Sequence, residues 1–496
     1  MWTTEAIART HGSSTEAPDD IVSRAHQSDW GRIWQLVTLL SALVGLTLRV
    51  GIVATRDLWA DEAFTWRVTS VQFDRMLARL ETDIHPPLHY LLMWVLQESV
   101  PEGWGPTYLR LANLVWFVAL GALAAWSSRR PGLRVAVVPA FSVVAVAPGF
   151  VQLGAELRMY GLLLMLVALL LLAVTTIVER PSRTAIVIGT LAATAAAWTH
   201  YAGVVAATAI ITAGLVRGGW KRFKALAPVA VVFAFGVLAL IPFAVPQLGK
   251  GISYKIGLTR MVRSFVDDLG VLGLTLLVVA TIFAFWAGGK RRASIPKSRS
   301  TEIAAIALIS LALFSLGMLA WYVVKGQNPV NEGVSTVPVY LLLVSILGLR
   351  IIPSRSVVAF VLLAGLVTAG CSVARLWGVP NYSLGKRVSH VDVLDEAIRQ
   401  YPPLAAEGGR GWLIVEVDWS DMNEYFREQA SGRLPLASVA VGTPAKGVVK
   451  AKIDSSRGAY QRILVIRRPG TAVVGVISGY KLEVMNRWTA LYLAEK

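Results

Sequence analysis

Charged side chains are scarce in this sequence, and acidic ones are the scarcest. Only 16% of the 496 residues are charged, with 31 Asp and Glu against 48 Lys and Arg, while 55% are hydrophobic. A typical soluble domain carries roughly 25% charged residues, and the mean hydropathy here is +0.57. The composition therefore excludes an ordinary soluble globular protein and indicates a chain that crosses a membrane several times.

Cysteine is nearly absent as well. Cys371 stands alone within an apolar run, which excludes an intramolecular disulfide and a cluster of thiolate metal ligands. The net charge of +17 would suggest nucleic acid in a soluble protein. Here basic cytoplasmic loops and anionic lipid headgroups account for it, and no soluble segment interleaves basic with aromatic residues. We expect no nucleic-acid partner.

Uncharged apolar runs are what the sequence has in abundance. Many approach the ~20 residues that a helix needs to cross ~30 Å of hydrocarbon. Basic loops at 127–134, 179–183, 217–224, 288–299 and 350–355 are typical of the cytoplasmic side. We predict a polytopic α-helical membrane protein with about eleven transmembrane helices, at 33–53, 107–127, 134–151, 160–178, 184–199, 201–216, 225–246, 269–287, 303–324, 336–349 and 357–376.

Three regions follow from this topology. Residues 1–32 are expected to form a disordered cytosolic tail, and residues 33–377 a transmembrane catalytic domain with a large outer loop at 54–106. The run LHYLLMWVLQ at 88–97 is too short to span and is predicted to lie in the membrane interface. Residues 378–496 regain charge and are expected to form a small C-terminal extracytoplasmic α+β domain.

That last domain is predicted from short patterned segments. Residues 411–419 and 462–468 have the composition of strands, whereas 390–400 and 420–430 have that of helices.

The conspicuous polar residues near span ends all fall on the predicted outer side. Charges at that depth are costly unless they are paired or face a wet cavity, so their convergence indicates one site at the outer membrane surface. They are Asp61 and Glu62, Asp83 and His85, Glu156, Arg158 and Tyr160, and His200 with Tyr201.

Each of these motifs also has a purely structural interpretation. Asp61 and Glu62 could complement the dipole at a helix start, and His85-Pro86-Pro87 could begin a helix. Glu156 and Arg158 could form an ion pair at a helix end. His200 could be a hydrogen-bonded corner residue.

Taken in order, four motifs carry a resemblance to a known class: LWADEAFTW, DIHPPLHYLL, GAELRMYGLLL and WTHYAGV. Together they resemble the bacterial membrane glycosyltransferases of the GT-C class, in particular the protein O-mannosyltransferases and the lipid A aminoarabinose transferase. The resemblance covers residues 33–216 well and the later spans only by architecture.

The resemblance implies transfer of a sugar from a polyprenyl-phosphate carrier to an acceptor outside the membrane, a plasma membrane in this case, usually with inversion. Asp61 would act as general base on the acceptor hydroxyl, and Glu62 beside it in the motif is the second catalytic candidate. Arg158, His85 and Tyr160 would bind the donor phosphate, which gains negative charge as the glycosidic bond breaks.

A divalent cation is used by some members of the class. Glu62, Glu156 and His200 are the possible ligands here, although no spacing proves a metal site. The sequence also departs from many relatives in lacking an arginine before the late span, where KGQNPVNEGVSTVPVYLLL leaves Lys325 as a substitute. Lys255 and Arg260 lie in outer loop 247–268, which could cover the carrier phosphate or merely touch lipid headgroups.

Two other functions fit parts of the pattern. A transporter or flippase for a lipid-linked sugar would also need buried charges, but transporters place them near the midplane and often show repeats, neither of which is seen here. A non-catalytic carrier-binding or assembly protein would leave the Asp61 to His85 loop without a purpose.

Overall fold

The computed structural model describes residues 18–55, 58, 60–81, 83–101, 104–247, 299–325 and 336–348, and five short strands between 412 and 494. The helical part of the chain is described first. Its helices are α1 Pro18–Thr55, α2 Ala60–Thr69, α3 Phe73–Leu80, α4 Leu88–Gln97, α5 Gly105–Asn113, α6 Val115–Ser128, α7 Pro131–Val146, α8 Pro148–Ala155, α9 Tyr160–Glu179, α10 Arg183–Thr199, α11 Tyr201–Leu238, α12 Ile241–Gln247, α13 Arg299–Lys325 and α14 Thr336–Gly348.

Helix α9 is the centre of the helical bundle. Its sequence between Tyr160 and Glu179 has no charged residue, so all of its faces are apolar, and most of them are buried. It packs against α6, α10, α11 and α13, while α1 packs against α6 and α7. A helix that is hydrophobic all round is expected at such a central position.

In the described part of the chain, five helices are long and apolar enough to cross a membrane, and six if the bent pair α7 and α8 counts as one crossing. The chain is therefore a multi-pass membrane protein. The predicted spans 269–287 and 357–376 lie outside the described residues, so the number eleven stays a prediction.

Span boundaries agree closely with several predictions. The predicted spans 107–127, 160–178 and 184–199 correspond to helical residues 105–128, 160–179 and 183–199. Residues 88–97 form α4, with the bounds predicted for the interfacial helix. The break between α10 and α11 falls at His200, between the predicted spans 184–199 and 201–216.

One predicted segment differs from the structure. Helix α1 begins at Pro18, so part of the predicted disordered tail is helical. The predicted basic loop at 217–224 contains a break, because α11 consists of two helical stretches that meet at a kink at Gly219, where φ is 56°. Glycine adopts this left-handed conformation at little cost. Arg222 in the same segment donates to the carbonyls of Val178 and Glu179 at the end of α9.

The predicted span 134–151 is broken rather than straight. Helices α7 and α8 meet at 74° because Pro148 begins the second helix and holds Ala147 in an extended conformation. The buried side chain of Arg49 donates hydrogen bonds to the carbonyls of Val144, Ala145 and Phe150 around this break. It thereby satisfies acceptors that the break releases from the helix ladder.

The strands are β1 Trp412–Glu416, β2 Ser438–Val441, β3 Arg462–Ile466, β4 Tyr480–Met485 and β5 Thr489–Ala494. They form one mixed sheet in the order β2-β1-β3-β5-β4. Strand β1 is parallel to β2 and β3, with Leu413 opposite Ser438 and Ile463, while β5 is antiparallel to β3 and β4.

Strands β1 and β3 match the predicted strands 411–419 and 462–468, whereas β2, β4 and β5 were not predicted. The helices predicted at 390–400 and 420–430 lie outside the described residues, and the α+β domain stays a prediction.

Candidate functional site

The predicted site residues are carried by helix ends and by the short segments that join helices. Asp61 and Glu62 lie in the first turn of α2, where negative charge complements the helix dipole. His85 lies in the connection before α4, and Arg158 in the connection between α8 and α9. His200 separates α10 from α11. Four chain segments that are far apart in sequence therefore meet around one cluster of polar side chains.

Arg158 lies at the centre of this cluster. Its side chain is only 2% exposed, and Nη1 donates to the backbone oxygen of Asp61 at 3.2 Å, to Thr65 Oγ1 at 3.1 Å and to the Tyr90 hydroxyl at 3.3 Å. Nη2 lies 3.7 Å from Oδ2 of Asp61, beyond the range of a good hydrogen bond. Nε has no hydrogen-bond partner among the described residues. Nε of Arg158 is therefore a buried donor that the described protein groups leave unsatisfied, and Nη2 beside it makes only a long contact with Asp61.

Asp61 is the accessible carboxylate of the cluster. Its side chain is 31% exposed, whereas that of Asp83 is 11% exposed and that of Glu62 is fully buried. Solvent access on one side and Arg158 on the other place Asp61 where a second substrate can reach it.

Asp83 is held more tightly than Asp61. Its Oδ2 accepts a 2.6 Å hydrogen bond from the Tyr90 hydroxyl, and both of its oxygens lie 3.3 Å from Nδ1 of His85. Burial alone would raise the pKa of Asp83, but His85, Arg158 and Tyr90 outweigh that effect and hold the pKa at about 2. Asp83 is therefore ionised at neutral pH and orients the His85 ring.

His85 and His200 lie face to edge, with ring centroids 5.1 Å apart, and the Tyr160 ring lies 6.1 Å from that of His200. Nδ1 of His200 accepts a hydrogen bond from the backbone N–H of Ala202 at 3.0 Å. Burial, together with the charges of His85 and Arg158, lowers the pKa of His200 well below its usual range. The structure thus brings the predicted residues Arg158, His85, Tyr160 and His200 together.

Glu62 belongs to a separate, closed arrangement. Its two carboxylate oxygens accept from Nε and Nη2 of Arg110 at 2.7 and 2.8 Å, and the backbone N–H of Leu157 donates to it at 2.7 Å. The pair is buried on both sides. Glu62 therefore fastens α2 to α5 and to the segment that carries Arg158, and its contacts favour an anchoring role over the catalytic role predicted for it.

Asn113 fixes the same segment from α5. Its side-chain amide donates to the backbone oxygens of Glu156 at 2.7 Å and Arg158 at 3.0 Å. The Glu156 side chain accepts from Gln152 at 3.2 Å. The backbone around Arg158 is thus held by α5 on one side and by Glu62 on another.

The three predicted metal ligands do not form a cation site in the described residues. Glu62 is committed to Arg110, and Nδ1 of His200 accepts from a backbone N–H. No group of three or more His, Cys, Asp and Glu side chains in the described part of the chain could hold a metal ion. The dependence on a divalent cation stays a prediction.

Tyr201 does not join the polar cluster directly. Its hydroxyl donates to Oε1 of Gln247 at 2.6 Å, and Nε2 of Gln247 donates to the backbone oxygens of Leu80 and His85. Tyr201 therefore supports the connection that carries His85. The predicted residues Lys255 and Arg260 lie outside the described residues.

Three residues around the site were not assigned from the sequence: Tyr90, Arg110 and Gln247. Tyr90 stands in the motif DIHPPLHYLL, so its spacing from His85 could have revealed it. Arg110 and Gln247 carry no such signal, because only the fold brings them to positions 62 and 85.

Together these features define the class of fold as a multi-pass helical membrane protein with a polar, partly exposed site built on helix connections around a buried arginine. The solved structure of ArnT from Cupriavidus metallidurans in the apo state is similar over 92% of this chain and 97% of its own, with 13% identity and a TM-score of 0.53. ArnT is a lipid A aminoarabinose transferase of the GT-C class. The fold expected from the four motifs is confirmed by this likeness.

A second structure of ArnT from the same organism, bound to undecaprenyl phosphate, is similar over the same shares of both chains, with 14% identity. The TM-score of this second comparison is 0.48. No protein-family profile matches the sequence, and no curated protein does.

Proposed function

We propose that the protein is an inverting glycosyltransferase that moves a sugar from a polyprenyl-phosphate carrier to a glycan, lipid or protein acceptor. The observation that carries this proposal is the unfilled edge of Arg158 beside the exposed carboxylate of Asp61. Arg158 suits an anionic leaving group, and Asp61 suits an incoming hydroxyl. The ArnT-like fold supports the same assignment.

The leaving group in this reaction is a lipid phosphate. Nε–H and Nη2–H of an arginine point in parallel and match two oxygens of a phosphate. In Arg158 Nη1 is fixed by three acceptors on the protein, so the remaining edge is oriented before the ligand arrives. Preorganised donors of this kind stabilise charge that develops in the transition state.

Asp61 would act as the general base. The acceptor hydroxyl attacks the anomeric carbon and gives its proton to the Asp61 carboxylate, while the bond from that carbon to the phosphate oxygen breaks and its electron pair goes to the phosphate. A single displacement inverts the anomeric centre and needs no carboxylate nucleophile. The phosphate that binds Arg158 also competes with Asp61 for Nη2, which leaves Asp61 free to take the proton.

We also propose on which side of the membrane the site lies. Because all of the assembled residues lie at helix ends on the side opposite the predicted basic loops, the site would face away from the cytosol at the plasma membrane. The C-terminal sheet would belong to the outer α+β domain, and Lys255 and Arg260 would lie in the loop above the carrier phosphate.

The test uses purified protein in lipid, a panel of radiolabelled polyprenyl-phosphate sugars and a membrane extract as acceptor. Wild type is compared with Asp61→Asn and with Asp74→Asn, an exposed aspartate of α3 outside the site. We expect transfer from one donor, a loss of roughly 10²- to 10⁴-fold in Asp61→Asn, and full activity in Asp74→Asn. Full transfer by Asp61→Asn would contradict its role as base. Carrier binding without turnover of any donor would favour the flippase or carrier-binding alternative.

A further inference from the structure

His200 has two ring nitrogens with different surroundings. The side chain is 8% exposed, Nδ1 accepts the hydrogen bond from Ala202, and Nε2 is buried without a hydrogen-bond partner among the described residues. A buried donor without a hydrogen-bond partner is destabilising. Such a group inside a substrate site is best explained by a ligand that completes its hydrogen bonding.

The contact with Ala202 fixes the tautomer. Because a backbone N–H donates to Nδ1, that nitrogen carries a lone pair, and in the neutral ring the proton is on Nε2. Nε2 is therefore a donor. A metal ion at Nε2 would need the lone pair there and would displace the bond to Ala202, so the unsatisfied group calls for an acceptor atom.

The surroundings of the ring indicate which acceptor. His85 and Tyr160 lie against it, and Arg158 is close enough to influence its protonation. Nδ1 is bonded to the start of α11, which leaves Nε2 as the ring nitrogen for a ligand. A neutral donor in surroundings that include Arg158 suits an anion with several oxygens.

We propose that His200 donates a hydrogen bond from Nε2 to a phosphate oxygen of the lipid carrier. The inference rests on the proposed function and adds to it a neutral donor that acts beside the Arg158 edge. His200 thereby has two separable roles: Nδ1 caps α11, and Nε2 binds the ligand.

The two roles are separated by a pair of substitutions. The backbone at His200 is extended, the conformation in which an Asn side chain caps a helix. His200→Asn therefore keeps the cap and removes the distant donor. His200→Phe keeps a ring of similar size but removes both the cap and the donor. Ser182→Asn alters the cap of α10, where Ser182 accepts from the Ala185 N–H, and serves as a control outside the site.

Binding of undecaprenyl phosphate to the full-length protein in lipid nanodiscs is measured alongside thermal unfolding. We expect both His200 variants to bind roughly tenfold to hundredfold more weakly, as for loss of a hydrogen bond to a charged group. Only His200→Phe should also lose stability, and Ser182→Asn should bind as wild type does. Wild-type affinity in either His200 variant would overturn the inference.

Arg158→Leu distinguishes this failure from failure of the proposed function. Suppose that wild type and the His200 variants bind the lipid phosphate and that Arg158→Leu does not bind it. In that case only the role of His200 is wrong. If wild type itself does not bind, the proposed carrier is wrong, and the inference falls with it.

Discussion

Asp61 and Glu62 are adjacent acidic residues, yet each meets an arginine in a different way. Arg110 uses its Nε and Nη2 to bind both oxygens of Glu62 at 2.7 and 2.8 Å, and the pair is buried. The same edge of Arg158 is unfilled: Nη2 is 3.7 Å from Asp61, and Nε has no partner among the described residues. We call the Glu62–Arg110 pair closed, because its hydrogen bonds are complete, and the Asp61–Arg158 pair open, because those of Arg158 are not.

This difference separates a structural pair from a chemical one. A buried bidentate pair has no capacity left for a ligand and fixes the elements that it joins. An open pair keeps a charged donor edge and an accessible carboxylate, at the expense of unsatisfied hydrogen bonds. The closed pair also fixes the open one, because Glu62 binds the N–H of Leu157, next to Arg158.

The largest effect should come from breaking the closed pair. Glu62→Gln leaves Arg110 buried without its counter-charge, which typically costs about 3–5 kcal/mol. The adjacent change Asp61→Asn removes only a 3.7 Å contact of a partly exposed carboxylate and leaves the three acceptors of Arg158 Nη1 in place, so a smaller loss of stability is expected. Thermal unfolding and the yield of monodisperse protein in detergent should separate the two variants. Equal stabilities would show that the two pairs are not different in kind.

Replacing the arginine of the open pair should have the next largest effect. Arg158→Lys keeps the positive charge but loses the planar fork. We expect kcat/KM for the lipid-linked donor to fall roughly 10²- to 10³-fold, the usual loss when a preorganised donor is removed. The KM for the acceptor should change little, which steady-state kinetics with each substrate varied in turn would show. A loss confined to the acceptor KM would remove Arg158 from the phosphate site.

The sequence was a good guide to the members of this site and a poor guide to their roles. Apolar runs located the spans because hydrocarbon forces backbone groups into helices, and the corner at His200 followed from the length of its flanking runs. Asp61 and Glu62 could not be told apart, since their difference comes from Arg110, 48 positions away from Glu62.

The bend between α7 and α8 was also hard to foresee. The bend at Pro148 depends on the Arg49 side chain to satisfy the carbonyls around it, and that contact spans about a hundred residues of sequence. The basic residues on either side of the kink at Gly219 find partners on other helices: Arg217 pairs with Glu302, and Arg222 binds carbonyls of α9. Local composition does not predict these partners.

Asp83 provides an intermediate case between the closed and open pairs. Its pKa is lowered from 3.8 to about 2, so it stabilises the folded state above pH ~4 and loses that contribution as the pH falls towards 2. The contribution is on the order of 2 kcal/mol. Unfolding temperatures measured between pH 6 and pH 3 should fall more steeply in wild type than in Asp83→Asn. Parallel curves would indicate that the Asp83 pair with His85 and Tyr90 adds nothing to stability.

The smallest effect is expected from Tyr201, which supports the connection that carries His85. Tyr201→Phe removes the 2.6 Å hydrogen bond to Gln247, whose amide holds the backbone oxygens of Leu80 and His85. Loss of one such bond costs about 0.5–1.5 kcal/mol, and the loss falls on a connection rather than on the bundle core. Amide hydrogen exchange should therefore increase in residues 83–90, with little change in α9. Tyr340→Phe, a buried tyrosine of α14, is the control and should leave exchange at residues 83–90 unchanged. If exchange rises equally throughout the bundle in Tyr201→Phe, the hydroxyl stabilises the whole fold and does not act separately on residues 83–90.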